Sequence, residues 1–239
     1  MNYIVIPAYQ PDNKLIKLIE KIHEKSDFHI LVIDDGSSSK CQNIFDKAEQ
    51  YATVLRHRVN QGKGQALKTA FAYIQQQNSY GTVVTADADG QHKIWDIFRT
   101  ANKASENPNK LILGVRAFTG KVPLRSRFGN SLTKALFKLQ TGVGVTDTQT
   151  GLRAFTTNLI PFMLKIEGNR YEYEMNMLLE ASKEYQILEV PIETVYINDN
   201  EGSHFRPIRD GLMIYKNIFK FALSSLSSFV VDYLVYAIA

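Results

Sequence analysis

The sequence predicts an α/β fold: a mixed, mostly parallel sheet flanked by helices. Over the first half of the chain, short apolar and β-branched runs alternate with segments whose apolar residues recur at helical spacing. Alternation of this kind favours parallel strands that are joined by covering helices. The chain of 239 residues is long enough to bury a full hydrophobic core.

Four strands and three helices are predicted before residue 95. The strands are short buried runs that end at proline or at polar residues. They are expected at residues 3–6, 28–33 and 53–55, and from Thr82 to the aspartates that follow it. Each helix has one apolar face, and the helices are expected at residues 15–22, about 38–51 and 64–76.

The second half of the chain is less regular. A strand is expected at residues 111–115, and another at 187–190, where Pro191 breaks a run that residues 192–197 continue. Helices are expected at residues 130–139 and 171–183. No linker separates the two halves, so we expect them to form one domain over residues 1–205.

The carboxyl-terminal segment has a different character. Residues 206–220 combine basic and apolar side chains in a helical pattern, which predicts an amphipathic helix on an anionic membrane surface or packed on the domain. Residues 221–239 are uncharged except for Asp232. We expect them to begin a truncated transmembrane segment, the alternative being a buried terminal helix.

Composition narrows the functional class. A net charge of +4 fits an anionic substrate or a membrane surface, but it is too diffuse to indicate nucleic-acid binding. Cys41 is the single cysteine in the sequence, which excludes an internal disulfide and a cysteine-based zinc site. We expect a reducing compartment and no signal peptide, since Pro7 interrupts the first apolar run.

The most informative motif follows the strand that begins at Thr82. Asp87 and Asp89 are two residues apart, so in an extended chain their side chains point to the same side. Ligands bind at the carboxyl ends of strands in open α/β sheets. Together with Gln91, these oxygen ligands predict a site for a divalent cation that also holds phosphate oxygens. The alternative is a solvated turn that only ends the strand.

Three further clusters follow the first three strands. Pro7, Ala8 and Tyr9 can hold a base with backbone and ring, and Asp35 can accept hydrogen bonds from a base or a ribose. Lys63 lies between two glycines and can neutralise a phosphate. Neither a P-loop nor a dinucleotide-binding glycine motif is present in the sequence.

These motifs carry a resemblance to a known family. The runs Ile-Pro-Ala-Tyr, Val-Ile-Asp-Asp-Gly-Ser, Asn-Gln-Gly-Lys-Gly and Asp-Ala-Asp-Gly-Gln-His occur in this order between residues 4 and 94. This region resembles the nucleotide-binding half of family 2 glycosyltransferases with the GT-A fold. The resemblance implies a nucleotide-binding half at residues 1–94 and an acceptor half at residues 95–205.

The second half is similar to the branch of that family that makes polyprenyl-phosphate sugars, typified by dolichyl-phosphate mannose synthase. The matching segments are residues 114–116, 125–130, 147–153, 189–192 and 202–205. Residues 220–236 resemble the first span of the small multi-span membrane family that accompanies these transferases.

The resemblance implies a metal-dependent, inverting transfer of a hexose, with UDP-glucose or UDP-N-acetylglucosamine as the expected donor. The implied acceptor is a polyprenyl phosphate, undecaprenyl phosphate in a bacterium, and the lipid-linked product serves cell-envelope glycosylation. The implied cofactor is Mg²⁺ or Mn²⁺. The implied location is the cell membrane with the catalytic domain facing the cytoplasm, and homo-oligomer formation is left open.

The same resemblance assigns roles to individual residues. Asp89 and Asp147 are the expected catalytic residues, Asp147 as a base or as an orienter of the sugar; its alternative is a turn aspartate. The metal ligands are Asp87, Asp89 and Gln91. Donor binding is expected from Pro7, Ala8, Tyr9, Asp35, Lys63, Asp87, Arg116, Arg153, Ser203 and His204. Acceptor binding is expected from Arg125 and Arg127.

Three other functions fit parts of the sequence. A family 2 transferase that builds a polysaccharide usually carries a Gln-x-x-Arg-Trp motif, which is absent here. A sugar-nucleotide pyrophosphorylase would be expected to carry a glycine-rich, basic signature after the first strand, and residues 7–10 lack it. An inactive membrane-tethered binding module is disfavoured by the retention of both aspartates and Lys63.

Overall fold

The computed structural model describes residues 1–116, 133–135, 137–139 and 141–193 of the chain. These residues all belong to one compact unit within Met1–Ser203. The sequence-based expectations for Arg125, Arg127, Ser203 and His204, and for the segments 206–220 and 221–239, fall outside the described residues. Within the described part, no helix has the length and apolar character needed to cross a membrane.

Seven strands of the described chain form a single mixed sheet. They are β1 (Tyr3–Ala8), β2 (His29–Asp34), β3 (Thr53–Arg56), β4 (Thr82–Thr85), β5 (Lys110–Arg116), β6 (Arg153–Thr156) and β7 (Gln186–Ile192). Their order across the sheet is β3-β2-β1-β4-β6-β5-β7. Strand β6 runs antiparallel to its neighbours β4 and β5, and the other pairs are parallel. The predicted mixed, mostly parallel sheet is confirmed.

Six helices surround the sheet in the described residues. They are α1 (Asn13–Lys25), α2 (Gln42–Ala48), α3 (Lys63–Gln76), α4 (Ile94–Glu106), α5 (Ile160–Lys165) and α6 (Glu172–Glu184). Residues 133–135 and 137–139 are also helical, in agreement with part of the predicted helix at 130–139. Helix α1 begins where the Asp12 side chain accepts a hydrogen bond from the Lys14 backbone N–H at 2.8 Å, a typical N-cap.

The two faces of the sheet are both buried. Ile4 and Ile6 of β1 point to one face, into a core shared with the apolar sides of α1 and α4. Val5 points to the other face, because strand side chains alternate. On that face the Phe71 ring of α3 meets the Phe155 ring of β6 edge-on at 5.3 Å. A doubly covered parallel sheet explains why its strands appear in the sequence as continuous apolar runs.

Two helix and strand predictions differ from the structure. The helix expected at about 38–51 is a 3₁₀ turn at Ser39–Cys41 followed by the short α2. The strand expected to break at Pro191 continues to Ile192, with Pro191 paired to Val115. Strand β7 has only one neighbour in the described sheet, so the missing N–H of proline costs no hydrogen bond to a second strand.

Parallel strands β1, β2, β3 and β4 end at the same edge of the sheet, and the antiparallel β6 begins there. Ala8 lies beside Asp34, and Val5 lies beside Thr85 in the register of β1 with its two neighbours. The loops that leave these strands therefore meet at one edge, which we call the carboxyl edge.

Candidate active site

The carboxyl edge brings together most of the predicted site residues. Pro7 and Ala8 end β1, and Tyr9 follows them with its side chain partly exposed. The loop after β2 is tied to the loop after β1, because the Gln10 backbone N–H donates to Ser37 Oγ at 2.9 Å. Asp35 begins its loop with a backbone N–H that donates to the Ala8 carbonyl at 2.9 Å. The predicted proximity of these loops is present in the structure.

Asp35 holds the glycine loop, residues 60–64. Its Oδ1 accepts the backbone N–H of Gln61 at 2.9 Å, and its Oδ2 accepts that of Gly62 at 2.8 Å. Asn60 Nδ2 donates to Oδ2 at 2.8 Å, and His57 Nδ1 lies 2.7 Å from Oδ1. A carboxylate has about four lone-pair positions, and all of them are occupied here.

This arrangement is at odds with the prediction that Asp35 grips the nucleoside directly. The Asp35 residue is only 3% exposed, and its carboxylate oxygens face protein donors. The sequence motif therefore marks the right region of the site, but in this geometry Asp35 orders the glycine loop.

Close backbone packing fixes the same loop from two sides. A Cβ on Gly36, which has a φ of +71°, would lie 2.2 Å from the Val59 carbonyl carbon. A Cβ on Gly62, with a φ of +103°, would lie 2.4 Å from the Asn169 carbonyl oxygen. Both positions need a left-handed backbone and leave no space for a side chain, so only glycine fits without rearrangement.

Lys63 is the first residue of α3 and joins two acidic side chains. Its Nζ lies 2.7 Å from Asp87 Oδ1 and 2.9 Å from Glu174 Oε2. Burial lowers the pKa of the Lys63 ammonium, but the Asp87 and Glu174 carboxylates outweigh burial and raise the pKa above its ordinary value. Lys63 therefore stays charged. It lies beside Asp87, in the region where the sequence predicted that it would neutralise a phosphate.

The two aspartates have opposite electrostatic environments. Burial raises the pKa of the Asp87 carboxyl, but Lys63 and His92 outweigh it and hold the pKa well below its usual range. Burial and the charge of Asp87 both raise the pKa of Asp89, whose Oδ1 accepts the Gln91 backbone N–H at 3.0 Å. Lys63 and His92 thus stabilise the Asp87 charge, whereas burial and the like charge of Asp87 outweigh the contacts that stabilise the Asp89 charge.

The donor set suits a hard divalent cation. Asp89 and Asp87 are carboxylates that repel each other, and Gln91 adds an amide oxygen. The buried His92 ring has no hydrogen-bond partner for either nitrogen within the described residues, and its Nε2 lies 3.5 Å from Asp87 Oδ2. An added positive charge would offset the repulsion between the two neighbouring carboxylates. The described part of the chain contains no cluster of three or more His, Cys, Asp or Glu arranged for a metal.

Asp147 lies in a different environment from the one that its predicted role requires. The residue is completely buried, and its carboxylate binds Arg116 in a two-point ion pair. Arg116 Nε donates to Oδ2 at 2.6 Å, and its Nη2 donates to Oδ1 at 2.9 Å. A carboxylate held in this way orients an arginine rather than facing a sugar. The expectation of a catalytic base at Asp147 does not match this geometry.

Arg153 is also buried beneath the site. Its Nε donates to the Thr150 carbonyl at 3.0 Å, and its Nη1 donates to the Glu174 carbonyl. Burial lowers the pKa of the Arg153 guanidinium, and the nearby charges of Glu174 and Asp147 partly offset that effect. The buried positive charge of Arg153 therefore stabilises the nearby charges of Glu174 and Asp147. Its burial does not match the expected direct contact with the donor.

We expect Asp147→Ala to lower the free energy of unfolding by about 2 kcal/mol, because it removes a buried carboxylate that accepts two hydrogen bonds from the Arg116 guanidinium. The value is at the low end for a buried pair, since the Arg116 side chain is 20% exposed and can regain water. Urea unfolding measures it. The exposed pair of Asp46 and Arg56, at 3.6 Å, is the control: Asp46→Ala should change stability by less than about 1 kcal/mol. Equal effects of the two changes would contradict the buried ion pair.

His57 is a site residue that the sequence did not reveal. It follows β3, and 22 positions separate it from Asp35, to which it binds. A single histidine in a loop forms no recognisable motif, so the sequence contained no signal for the contact between His57 and Asp35.

Comparison with known proteins gives the same family as the motifs. A family model described as glycosyl transferase family 2 matches residues 3–163. The UDP-N-acetylglucosamine–dolichyl-phosphate N-acetylglucosaminyltransferase of Methanococcus voltae is 27% identical, over 81% of this chain and 85% of that protein. The dolichyl-phosphate β-glucosyltransferase of Saccharomyces cerevisiae is 26% identical, over 90% of this chain and 72% of that protein.

A solved structure gives a similar fold. The crystal structure of S. aureus TarS 1-349 in complex with UDP has a TM-score of 0.51 with this chain at 13% identity. The match covers 80% of this chain and 60% of that longer chain. The likeness supports an α/β fold of the nucleotide-sugar transferase type.

Proposed function

This chain belongs to glycosyltransferase family 2, and from that premise we propose that it transfers a hexose from a nucleotide-sugar to a polyprenyl phosphate. Two relatives whose names specify dolichyl-phosphate transferases support this acceptor. We propose UDP-glucose or UDP-N-acetylglucosamine as the donor, since those relatives are named for the same two sugars. The UDP complex of the TarS structure supports the uridine nucleotide.

The observation that carries the proposal is the charge arrangement around Lys63. One ammonium and two carboxylates meet at the carboxyl edge, and Lys63 follows a loop whose backbone is fixed by Asp35. A diphosphate that enters here meets a lysine whose charge is secured and a backbone that needs no reordering. Because Asp87 and Glu174 balance the Lys63 ammonium, we propose that most of the positive charge that stabilises the leaving diphosphate would come from a cation held beside this cluster.

We propose that Asp87, Asp89 and Gln91 hold Mg²⁺ or Mn²⁺ when the donor is bound. The cation supplies positive charge to the departing diphosphate. Lys63 provides a second positive charge on the same side, and Glu174 keeps its ammonium in place at 2.9 Å. The leaving group would then meet positive charge from both the cation and Lys63.

The acceptor side needs orientation more than proton removal. A polyprenyl phosphate is already anionic and nucleophilic at neutral pH, so a carboxylate base is unnecessary. This agrees with the completely buried Asp147, which fixes Arg116 instead. Arg116 is partly exposed at the end of β5, and we propose that it helps to bring the two anionic substrates together.

Because the proposed acceptor is a membrane lipid, we further propose that the protein acts at the cell membrane with this domain facing the cytoplasm, where nucleotide-sugars are made. The lipid-linked sugar would serve cell-envelope glycosylation. We also propose that the transfer inverts the configuration at the sugar carbon that is transferred, so a product with retained configuration would contradict this mechanism.

A donor screen tests the function. The full chain in detergent is incubated with undecaprenyl or dolichyl phosphate, Mn²⁺, and UDP-glucose, UDP-N-acetylglucosamine or GDP-mannose in turn. We expect mass spectrometry of the extracted lipid to show one added sugar with a UDP donor, and an equal amount of released UDP. Polyprenol without its phosphate is the control and should give no product. Release of UDP without any lipid product would contradict the proposed acceptor, and a product with GDP-mannose alone would contradict the proposed donor.

A further inference from the structure

We propose that His57 is a positioning residue for donor binding, which acts through Asp35 on the backbone of the glycine loop, residues 60–64. The inference rests on the proposed function only in that this loop faces the donor. The contacts of His57 with Asp35 and Thr69 are present without any substrate.

His57 bridges two elements of the fold. Its side chain is 7% exposed, its Nδ1 lies 2.7 Å from Asp35 Oδ1, and its Nε2 lies 2.9 Å from Thr69 Oγ1. Two backbone N–H groups and an amide already donate to Asp35, so its carboxylate acts as an acceptor and His57 Nδ1 carries the proton. In the neutral ring, Nε2 then accepts from the Thr69 hydroxyl of α3. His57 thereby connects the Asp35 carboxylate to α3, the helix that starts within the glycine loop.

The orientation of Asp35 determines the orientation of the loop. Each carboxylate oxygen binds one backbone N–H, from Gln61 on Oδ1 and from Gly62 on Oδ2. If the carboxylate rotates, both bonds are lost together, and because Asp35 is 3% exposed, water cannot readily replace the missing donor. The donor from His57 is therefore needed to keep both loop N–H groups in place.

The same contact reaches the phosphate side of the site. Gly62 is the N-cap of α3, and Lys63 follows it directly. A shift of the loop moves the start of α3 and with it the ammonium that lies 2.7 Å from Asp87. Within the described residues, the hydrogen bonds of the His57 ring go to Asp35 and Thr69 and not to the proposed cation ligands, so its removal should affect donor binding more than acceptor binding.

Isosteric variants separate the two contacts of His57. Asparagine can place an amide N–H near the position of Nδ1 and keeps the contact with Asp35, whereas glutamine extends toward the position of Nε2 and keeps only the contact with Thr69. Thr69→Val removes the Thr69 contact alone. His23→Ala, an exposed histidine in the last turn of α1, is the matched control.

We expect His57→Gln and His57→Ala to raise the KM for the UDP-sugar about tenfold, with the acceptor KM changed less than about twofold. His57→Asn and Thr69→Val should stay within about threefold of the parent, and His23→Ala should be unchanged. Hydrogen–deuterium exchange of a peptide over residues 58–66 should be at least about tenfold faster in His57→Gln than in His57→Asn. This second measurement needs no substrate.

The two proposals fail in different ways. Unchanged exchange at residues 58–66 in His57→Gln, or equal losses in His57→Gln and His57→Asn, would overturn the positioning role. Calorimetry with UDP and Mn²⁺ covers the case in which no lipid product forms: weaker UDP binding in His57→Gln would then support the positioning role, although the proposed acceptor would be wrong. If His57→Ala does not fold, the Asn, Gln and Thr69→Val variants still decide the question.

Discussion

Asp89→Asn is expected to reduce sugar transfer by about a thousandfold while the fold remains intact. The change removes one of the two carboxylates that we propose to bind the divalent cation, and with it much of the charge stabilisation of the leaving diphosphate. The structure adds a second expectation. Partial burial and, after it, the neighbouring Asp87 raise the pKa of Asp89, so the Asp89 charge is unfavourable in the substrate-free protein.

Loss of activity should therefore come without loss of stability. Removal of a repelling charge should leave the midpoint of thermal unfolding unchanged or slightly higher, whereas most changes in a buried site lower it. The measurements are the transfer rate at saturating donor and a thermal melt of the same sample. Asp27→Asn, an exposed aspartate just before β2, is the matched control and should affect neither.

Metal removal checks the same site without mutation. Transfer should be lost in a chelator and should return when Mg²⁺ or Mn²⁺ is added in excess. Near-normal turnover of Asp89→Asn, or of the parent protein in chelator, would show that the aspartate pair does not act through a cation.

The sequence was sufficient for the parallel part of the sheet, β1 to β4, because these strands follow local patterns. Strands β1 and β2 contain continuous apolar runs, β4 is a short β-branched segment, and α1 and α3 each have an apolar face, so local patterns located them. Strand β6 was not predicted. It has only four residues, begins with a buried arginine, and forms by pairing with β4 across more than 60 positions of sequence, which periodicity cannot register.

The site was predicted in outline but not in its internal contacts. The acidic and glycine motifs correctly placed Asp35, Lys63 and Asp87 at one edge, because strand ends of a parallel sheet must meet there. Which donor each carboxylate receives depends on side chains from distant loops. Asp35 turned out to be saturated by the glycine loop, and Asp147 to be occupied by Arg116. A motif predicts which residue types lie in which region of the fold. Tertiary contacts determine whether such a residue remains accessible to a substrate.

Gly151→Ala is expected to reduce transfer about a hundredfold through an effect on Asp87. A Cβ at position 151 would lie 2.4 Å from Asp87 Oδ2 and 2.7 Å from its Oδ1, closer than atoms can approach. The backbone at this position cannot easily yield, because the Gly151 carbonyl accepts the Thr85 hydroxyl at 2.8 Å. The carboxylate must therefore move, and it must leave the Lys63 ammonium that it binds at 2.7 Å. Misplacement of a catalytic group by about 1 Å can cost two orders of magnitude in rate.

Two controls identify the cause of the loss. Gly144→Ala adds the same methyl group where no atom lies within 4 Å, and it should leave transfer unchanged. In an Asp87→Ala background, Gly151→Ala should lower the remaining rate by less than about twofold, since the carboxylate that it displaces is already absent. Full additivity of the two changes would mean that Gly151 acts on another part of the site. Unchanged transfer in Gly151→Ala alone would mean that catalysis does not depend on the position of the Asp87 carboxylate. It would then contradict the proposed roles of Lys63 and the cation, because both depend on Asp87.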